Sequence, residues 1–257
     1  MLGFKRKQAG PPDAAAVAAR ARILCARIAL TTEWPSPDRL LGMMADWTTA
    51  DYADLVRKYD EASQTMRVSL ERSGLWGQTT PAEKAFFDAR LKKRTQQQCV
   101  DASWSVESVA SCLWALGVLA ELPAYDVESD VAVCKQVPQA GEALSLRPAW
   151  ELESARAVAQ TWHWRSRTRQ LIESGQPIPP LPNDLTLEQV VRLSARAAAD
   201  AGDFPEPYDE DFPAFGKAYR DLSPREYETA TSIALERHKA LNWICGLAPK
   251  NRWDQTP

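Results

Sequence analysis

The sequence predicts an all-α fold, a multi-helix globular domain with long ordered loops and about seven to nine helices by its start and stop signals. Three observations carry that prediction. Apolar residues recur at spacings of three and four along several long stretches, which is the period of an α-helix. Thr80-Pro81-Ala82-Glu83 and Ser223-Pro224-Arg225-Glu226 each set a capping hydroxyl, a first-turn proline and a glutamate in capping-box register. No stretch alternates apolar and polar residues as a half-buried strand would.

Along the chain, residues 13–30 start at Asp13 as N-cap and carry Val17, Ile23, Leu24 and Ile28 among arginines, until Pro35 and Pro37 break the run. A second amphipathic run covers 50–72, with Tyr52, Leu55, Val56, Tyr59, Met66 and Leu70, and Gly74 and Gly77 close it. The helix opened at Thr80 is expected to continue through the polar stretch Lys92 to Gln98. Trp104 to Leu122 is the most apolar element, stopping at Pro123, and is expected to be the central buried helix. Residues 123–148 read as a connecting loop. Trp150 to Ser174 is a helix closed by Gly175. Pro177, Pro179, Pro180 and Pro182 form a stiff linker. Thr186 and Gln189 cap a helix ending near Gly202, Phe204 to Leu222 is an ordered loop, and Ser223 opens the last helix, which ends at Gly246. The expected organisation is a disordered tail over 1–12 and a helical domain over 13–257. That domain is either one body or two packed lobes, 13–122 and 149–257, joined by loop 123–148.

A chain of 257 residues can bury a large core, and 45% hydrophobic with 25% charged residues argues against disorder. A net charge of −3 offers no long-range attraction to nucleic acid or to an anionic membrane. No segment reaches the roughly 18–20 apolar residues of a membrane span. Arginines at 20, 22 and 27 interrupt the Ala-rich start, so no secretory core is present and a cytoplasmic protein is expected. Cys25, Cys99, Cys112, Cys134 and Cys245 are odd in number and scattered, which fits reduced, buried thiols better than a disulfide framework or zinc site.

Several ordered phrases carry a family resemblance. They are Trp104-x-x-Glu107 leading into Leu113-Trp114-Ala115-Leu116-Gly117, then Leu122-Pro123, Trp162-His163-Trp164-Arg165 and the run from Phe215 to Ser223. The series closes on Glu236-Arg237-His238-Lys239-Ala240-Leu241-Asn242-Trp243 and Trp253-Asp254. From about residue 18 onward the chain resembles the bacterial family called domain of unknown function 4272. The resemblance implies a soluble, mostly helical protein and implies no reaction.

The candidate chemistry concentrates at the two histidines, His163 and His238, because imidazole alone titrates near neutrality when unperturbed. As catalytic groups they would need Glu107 or Glu236 across a helical cleft. The competing role is structural: Trp114, Trp162, Arg165, His238, Asn242 and Trp243 as polar and aromatic seams between helices. Arg165 is expected to pair with Glu107, Glu151, Glu153 or Glu236, while Glu236 and Lys239 face solvent or a partner. The helical metal spacings H-E-x-x-H and E-x-x-H are absent, as are P-loop, G-x-G-x-x-G and G-x-S-x-G motifs, so no metal or cofactor is expected. Phe204, Tyr208, Asp209, Glu210, Asp211 and Phe212 set acids beside aromatic anchors, a pattern suited to a basic protein surface. The expected function is therefore a non-catalytic protein-binding module, most concretely an immunity or antitoxin protein masking a basic toxin. The alternative is a metal- or His-dependent hydrolase built on His163 and His238.

Overall fold

The computed structural model describes residues 10–32, 34, 39–40, 42, 47–175, 184–248 and 253. The expected break at Pro35 and Pro37, the proline linker over 177–182 and residues 1–9 of the expected tail lie outside the described residues. The fold is all-α, as the periodicity predicts. Helices α1 (Ala14–Thr32), α2 (Thr49–Arg72), α3 (Pro81–Asp88), α4 (Gln96–Ala115), α5 (Ala149–Ser174), α6 (Leu187–Asp200) and α7 (Pro224–Ile244) dominate it. Among the described residues no helix is long and apolar enough to cross a membrane.

Local chemistry sets most helix starts. Asp13 Oδ1 accepts the Ala16 amide at 2.8 Å. Reciprocal capping boxes form at Thr48/Asp51, Thr80/Glu83, Thr95/Gln98, Thr186/Gln189 and Ser223/Glu226. Each satisfies first-turn N–H groups that would otherwise lack acceptors, worth about 1 kcal/mol per cap.

Two boundaries differ from the sequence expectation. Helix α3 ends at Asp88 instead of running to Gln98; Ala89 is extended, Leu91–Lys93 form a 3-10 turn, and Thr95 caps α4, which starts at Gln96, eight residues before Trp104. No glycine or proline dictates this break. Buried Arg94 does so through tertiary contacts, its Nη1 donating to the Leu30 carbonyl (3.3 Å) and its Nη2 to the Phe86 carbonyl (3.0 Å). Helix α4 then stops at Ala115 and not at Pro123, because Gly117 adopts φ +72°. The Gly117 amide reaches Trp114 O and the Val118 amide reaches Leu113 O, both at 2.9 Å, the double closure typical of a left-handed helix stop.

Helix α4 is central, as its composition predicts: it packs against α1 and α7, and α7 packs against α5. Leu24 on α1, Val109 and Leu113 on α4, and Ala240 and Ile244 on α7 share one core. Ile23, Leu70, Phe86 and Phe87 form a second beneath α2 and α3. A third surrounds Trp162 on α5 with Val191, Phe212, Tyr219 and Ala234. Burying each large apolar side chain contributes about 1.5–3 kcal/mol.

The stretch expected as loop between Phe204 and Leu222 holds a minimal antiparallel hairpin, Pro213–Ala214 against Lys217–Ala218 in the register Pro213↔Ala218. Two-residue strands are too short to show alternation in sequence. At its tip Phe215 and Gly216 both take positive φ, +52° and +69°, the turn that matches strand twist. The thiols are free; Cys99 and Cys112 are buried, whereas Cys25, Cys134 and Cys245 are only half-buried, so the expectation of five buried thiols fails for three.

Candidate functional site

The 122–129 stretch is held over α4 and α7 by a buried ion pair. Arg237 on α7 and Glu107 on α4 are both fully buried, with Arg237 Nη2 2.8 Å and Nε 2.9 Å from Glu107 Oε2. The rest of the guanidinium donates to loop carbonyls, Nη1 to Pro123 O at 2.5 Å and Nη2 to Val127 O at 3.3 Å. Glu107 in turn accepts the Ser129 amide (2.6 Å) and hydroxyl (2.9 Å). An ion pair so buried is stabilising only when its remaining donors and acceptors are filled, and here loop backbone fills them.

That anchoring sets Tyr125 parallel to Trp162 of α5, with centroids 5.4 Å apart and planes 16° apart, while the Arg237 guanidinium sits 4.8 Å from the Tyr125 ring centroid. Burial pushes the Tyr125 hydroxyl well above its ordinary range. Asp126, next along, accepts the amide of Phe215 at 2.8 Å and so fastens the strained hairpin tip to the loop. Between the loop, the Ala155–Val158–Trp162 face of α5 and the hairpin lies a cleft of ≈ 520 Å³. Trp114, Leu122, Pro205 and Pro213 add apolar walls, and among the described residues Asp126 and Asp203 supply its carboxylates. Its volume and lining match those of a ligand or side-chain pocket.

The two histidines meet at the α5–α7 seam, Nδ1 to Nδ1 at 2.8 Å. Asn242 Nδ2 lies 2.7 Å from His238 Nε2. With the Asn242 amide donating, the His238 proton sits on Nδ1 and is donated to His163 Nδ1, which leaves the His163 proton on Nε2. Burial, then His163, then Arg156 push the His238 imidazole down to about 4; burial and Arg167 lower His163. Neither ring lines the apolar cleft. Nor do the carboxylates once paired with them in sequence arrive: Glu107 is bound by Arg237. Glu236 is buried, corrected from a solvent-facing position, and it accepts Ser108 Oγ at 2.6 Å and pairs with Lys239. Among the described residues no three His, Cys, Asp or Glu side chains group as metal ligands.

Arg165 pairs with none of its expected glutamates. Its Nε and Nη2 grip Asp211 at 2.7 and 2.6 Å with both side chains buried, and Asp211 also accepts the amides of Phe212 (2.8 Å) and Arg220 (3.0 Å). The acid-and-aromatic stretch therefore divides. Asp211 and Phe212 are interior, out of reach of any partner; Phe204 is half-buried against Trp162. Tyr208, Asp209 and Glu210 are exposed at a turn where Asp209 and Glu210 take φ +49° and +63°. Trp114 stacks under Arg147, and Trp243 lies edge-on to Trp253 with centroids 5.2 Å apart. Tyr125, Asp126, Ala155 and Val158, all lining the cleft, were not singled out by sequence reasoning. The one available signal was Leu122-Pro123-Ala124-Tyr125, an apolar run that crosses from the end of the expected central helix into the expected connecting loop.

The sequence profile of domain of unknown function 4272 matches residues 5–189. The chain belongs to the DUF4272 family. The matched span holds the Trp104–Gly117 and Trp162–Arg165 phrases, and so the loop wall and the α5 wall of the cleft; the phrases from Phe215 and Glu236 lie beyond it. No curated protein and no solved structure matches this DUF4272 chain.

Proposed function

We propose that this DUF4272 protein is a cytoplasmic binding module whose apolar cleft receives a segment of a partner protein. The observation that carries the reading is the cleft itself: aromatic and proline walls, ≈ 520 Å³ of space, and the carboxylates of Asp126 and Asp203. Such a lining favours an apolar side chain followed by a basic one, since rings supply contact energy and carboxylates select charge. The exposed Glu206, Asp209 and Glu210 follow Asp203 on the same loop, paired with Arg196, Arg220 and Arg192 respectively. The most concrete form is an immunity or antitoxin protein that covers a basic toxin. Its test is co-expression with the proteins encoded beside it, followed by light scattering of the purified material. A one-to-one complex that added salt weakens, lost in Val158→Trp and weakened in Asp203→Lys, supports the reading. A monomer with every neighbour, and no toxic neighbour rescued, overturns it.

A second reading, a metal- or His-dependent hydrolase, draws on the 2.8 Å meeting of His163 and His238. It lacks a carboxylate at the pair, because Glu107 and Glu236 are engaged elsewhere. Hydrolysis of a model ester or phosphate that vanishes in His163→Ala would revive it.

A further inference from the structure

Two of the three half-buried cysteines are brought together from distant parts of the chain. Cys25 lies on α1 and Cys134 in the 3-10 turn Val131–Gln136; α1 and that turn are in contact, and both side chains pack onto the same apolar core. One turn before Cys25, Arg22 Nε donates to the Pro138 carbonyl at 3.0 Å and pins the chain just beyond the turn. The neighbouring Cys134 thiol, with burial, pushes the Cys25 thiol up, while Cys25 lowers that of Cys134. Cys112 is nearby but fully buried on α4, its thiol pushed up to about 12 by desolvation. Only Cys25 and Cys134 combine proximity with partial exposure.

We propose that Cys25 and Cys134 are a peroxide-reactive dithiol that closes to an intramolecular disulfide fastening the Val131–Gln136 turn to α1. Cys134 is the attacking sulfur, since a thiolate is the nucleophile and its thiol is the more acidic of the two. Its thiolate attacks one oxygen of hydrogen peroxide, the O–O bond breaks, and the departing hydroxide takes up a proton as water, leaving a sulfenic acid on Cys134. Cys25 sulfur then attacks Cys134 sulfur; the S–O bond breaks and the hydroxide leaves with the Cys25 proton as a second water. The two thiols lose two electrons and peroxide gains them. A dithiol restores both thiols by exchange. Since the turn directly follows the 122–129 wall of the cleft, the bond would fix the far end of that wall.

The test treats the intact protein with hydrogen peroxide, removes it, denatures, and counts thiols with a chromogenic disulfide. The count is expected to fall from five to three and to return with dithiothreitol. Cys134→Ser should lose no thiols, Cys25→Ser and Cys25→Ala should form no disulfide and lose at most the Cys134 thiol to a sulfenic acid, whereas Cys112→Ser should still lose two. A wild-type count that stays at five, a loss that persists without Cys134, a loss of two thiols without Cys25, or a cross-linked dimer on a non-reducing gel overturns the proposal.

Discussion

His163 Nδ1 lies 2.8 Å from His238 Nδ1, so imidazoles on two different helices share a single hydrogen-bonding proton. That contact fails once both rings are protonated, because no lone pair then remains between them and two like charges stand face to face with Arg156 and Arg167 close by. The unfolded chain takes up a proton at His238 below its ordinary value of 6.5, and the folded chain only near 4. The unfolded state therefore binds more protons across that window, and stability falls as pH drops from about 6.5 towards 4. The loss at His238 approaches about 3 kcal/mol at the acid end. Urea titrations at pH 7 and pH 4.5 measure it. In His238→Gln, which can still bond Asn242 and His163, the slope over this window should shrink; an unchanged slope would place the acid lability elsewhere.

Arg237 and Glu107 hold the loop wall of the cleft, so breaking the pair should act on stability and on the loop together. Arg237→Met leaves a buried carboxylate beside Ser129 with its main counter-charge gone, at a cost of about 3–5 kcal/mol. Glu107→Leu strands the guanidinium in the same way. The double variant should be less destabilised than the sum of the singles, with a coupling of about 0.5–3 kcal/mol in chemical denaturation. Strict additivity would mean that the pair is not the anchor.

Gly246 and Gly117 separate backbone strain from steric contact. Both adopt nearly the same left-handed φ, +73° and +72°, yet a Cβ at Gly246 would lie 2.9 Å from Pro11 N, while one at Gly117 meets open space. Gly117→Ala should cost about 1 kcal/mol, the left-handed penalty alone. Gly246→Ala should cost more, and removal of residues 1–11 should bring it down to the Gly117 value. Equal melting losses in the full-length chain would show that the Pro11 crossing is not maintained in solution.

Local chemistry was legible and tertiary pairing was not. Thr80 with Glu83 and Ser223 with Glu226 could be read directly, since a capping box closes within four residues. The break after Asp88 could not, because Arg94 enforces it through Leu30, from a helix more than sixty residues earlier. The stop at Gly117 was available but was passed over for Pro123, which lies beyond the left-handed residue that had already ended α4. The meeting of His163 and His238 depends on how α5 and α7 register against each other, and neither helix encodes that alone. The cleft was invisible for the same reason: its walls come from three separated segments, and its loop wall is positioned by Arg237 and Glu107, whose pairing spans most of the chain.

Asp211 shows why composition misassigned the acidic stretch. Asp209, Glu210 and Asp211 are consecutive acids, but the 208–211 turn sends Asp211 inward onto Arg165 and leaves the other two in solvent. Asp211→Asn keeps the shape and removes the charge, leaving Arg165, already short of a partner at Nη1, without a buried counter-ion. A loss of about 3–5 kcal/mol is expected by the same reasoning as for any broken buried pair. Asp209→Asn, at an exposed ion pair with Arg220, should cost no more than about 1 kcal/mol. Because Asp211 also accepts the Phe212 and Arg220 amides, hydrogen exchange across 208–220 should accelerate in Asp211→Asn and stay near wild type in Asp209→Asn. If both variants melt together and exchange alike, the inward carboxylate is not what fixes the hairpin wall of the cleft.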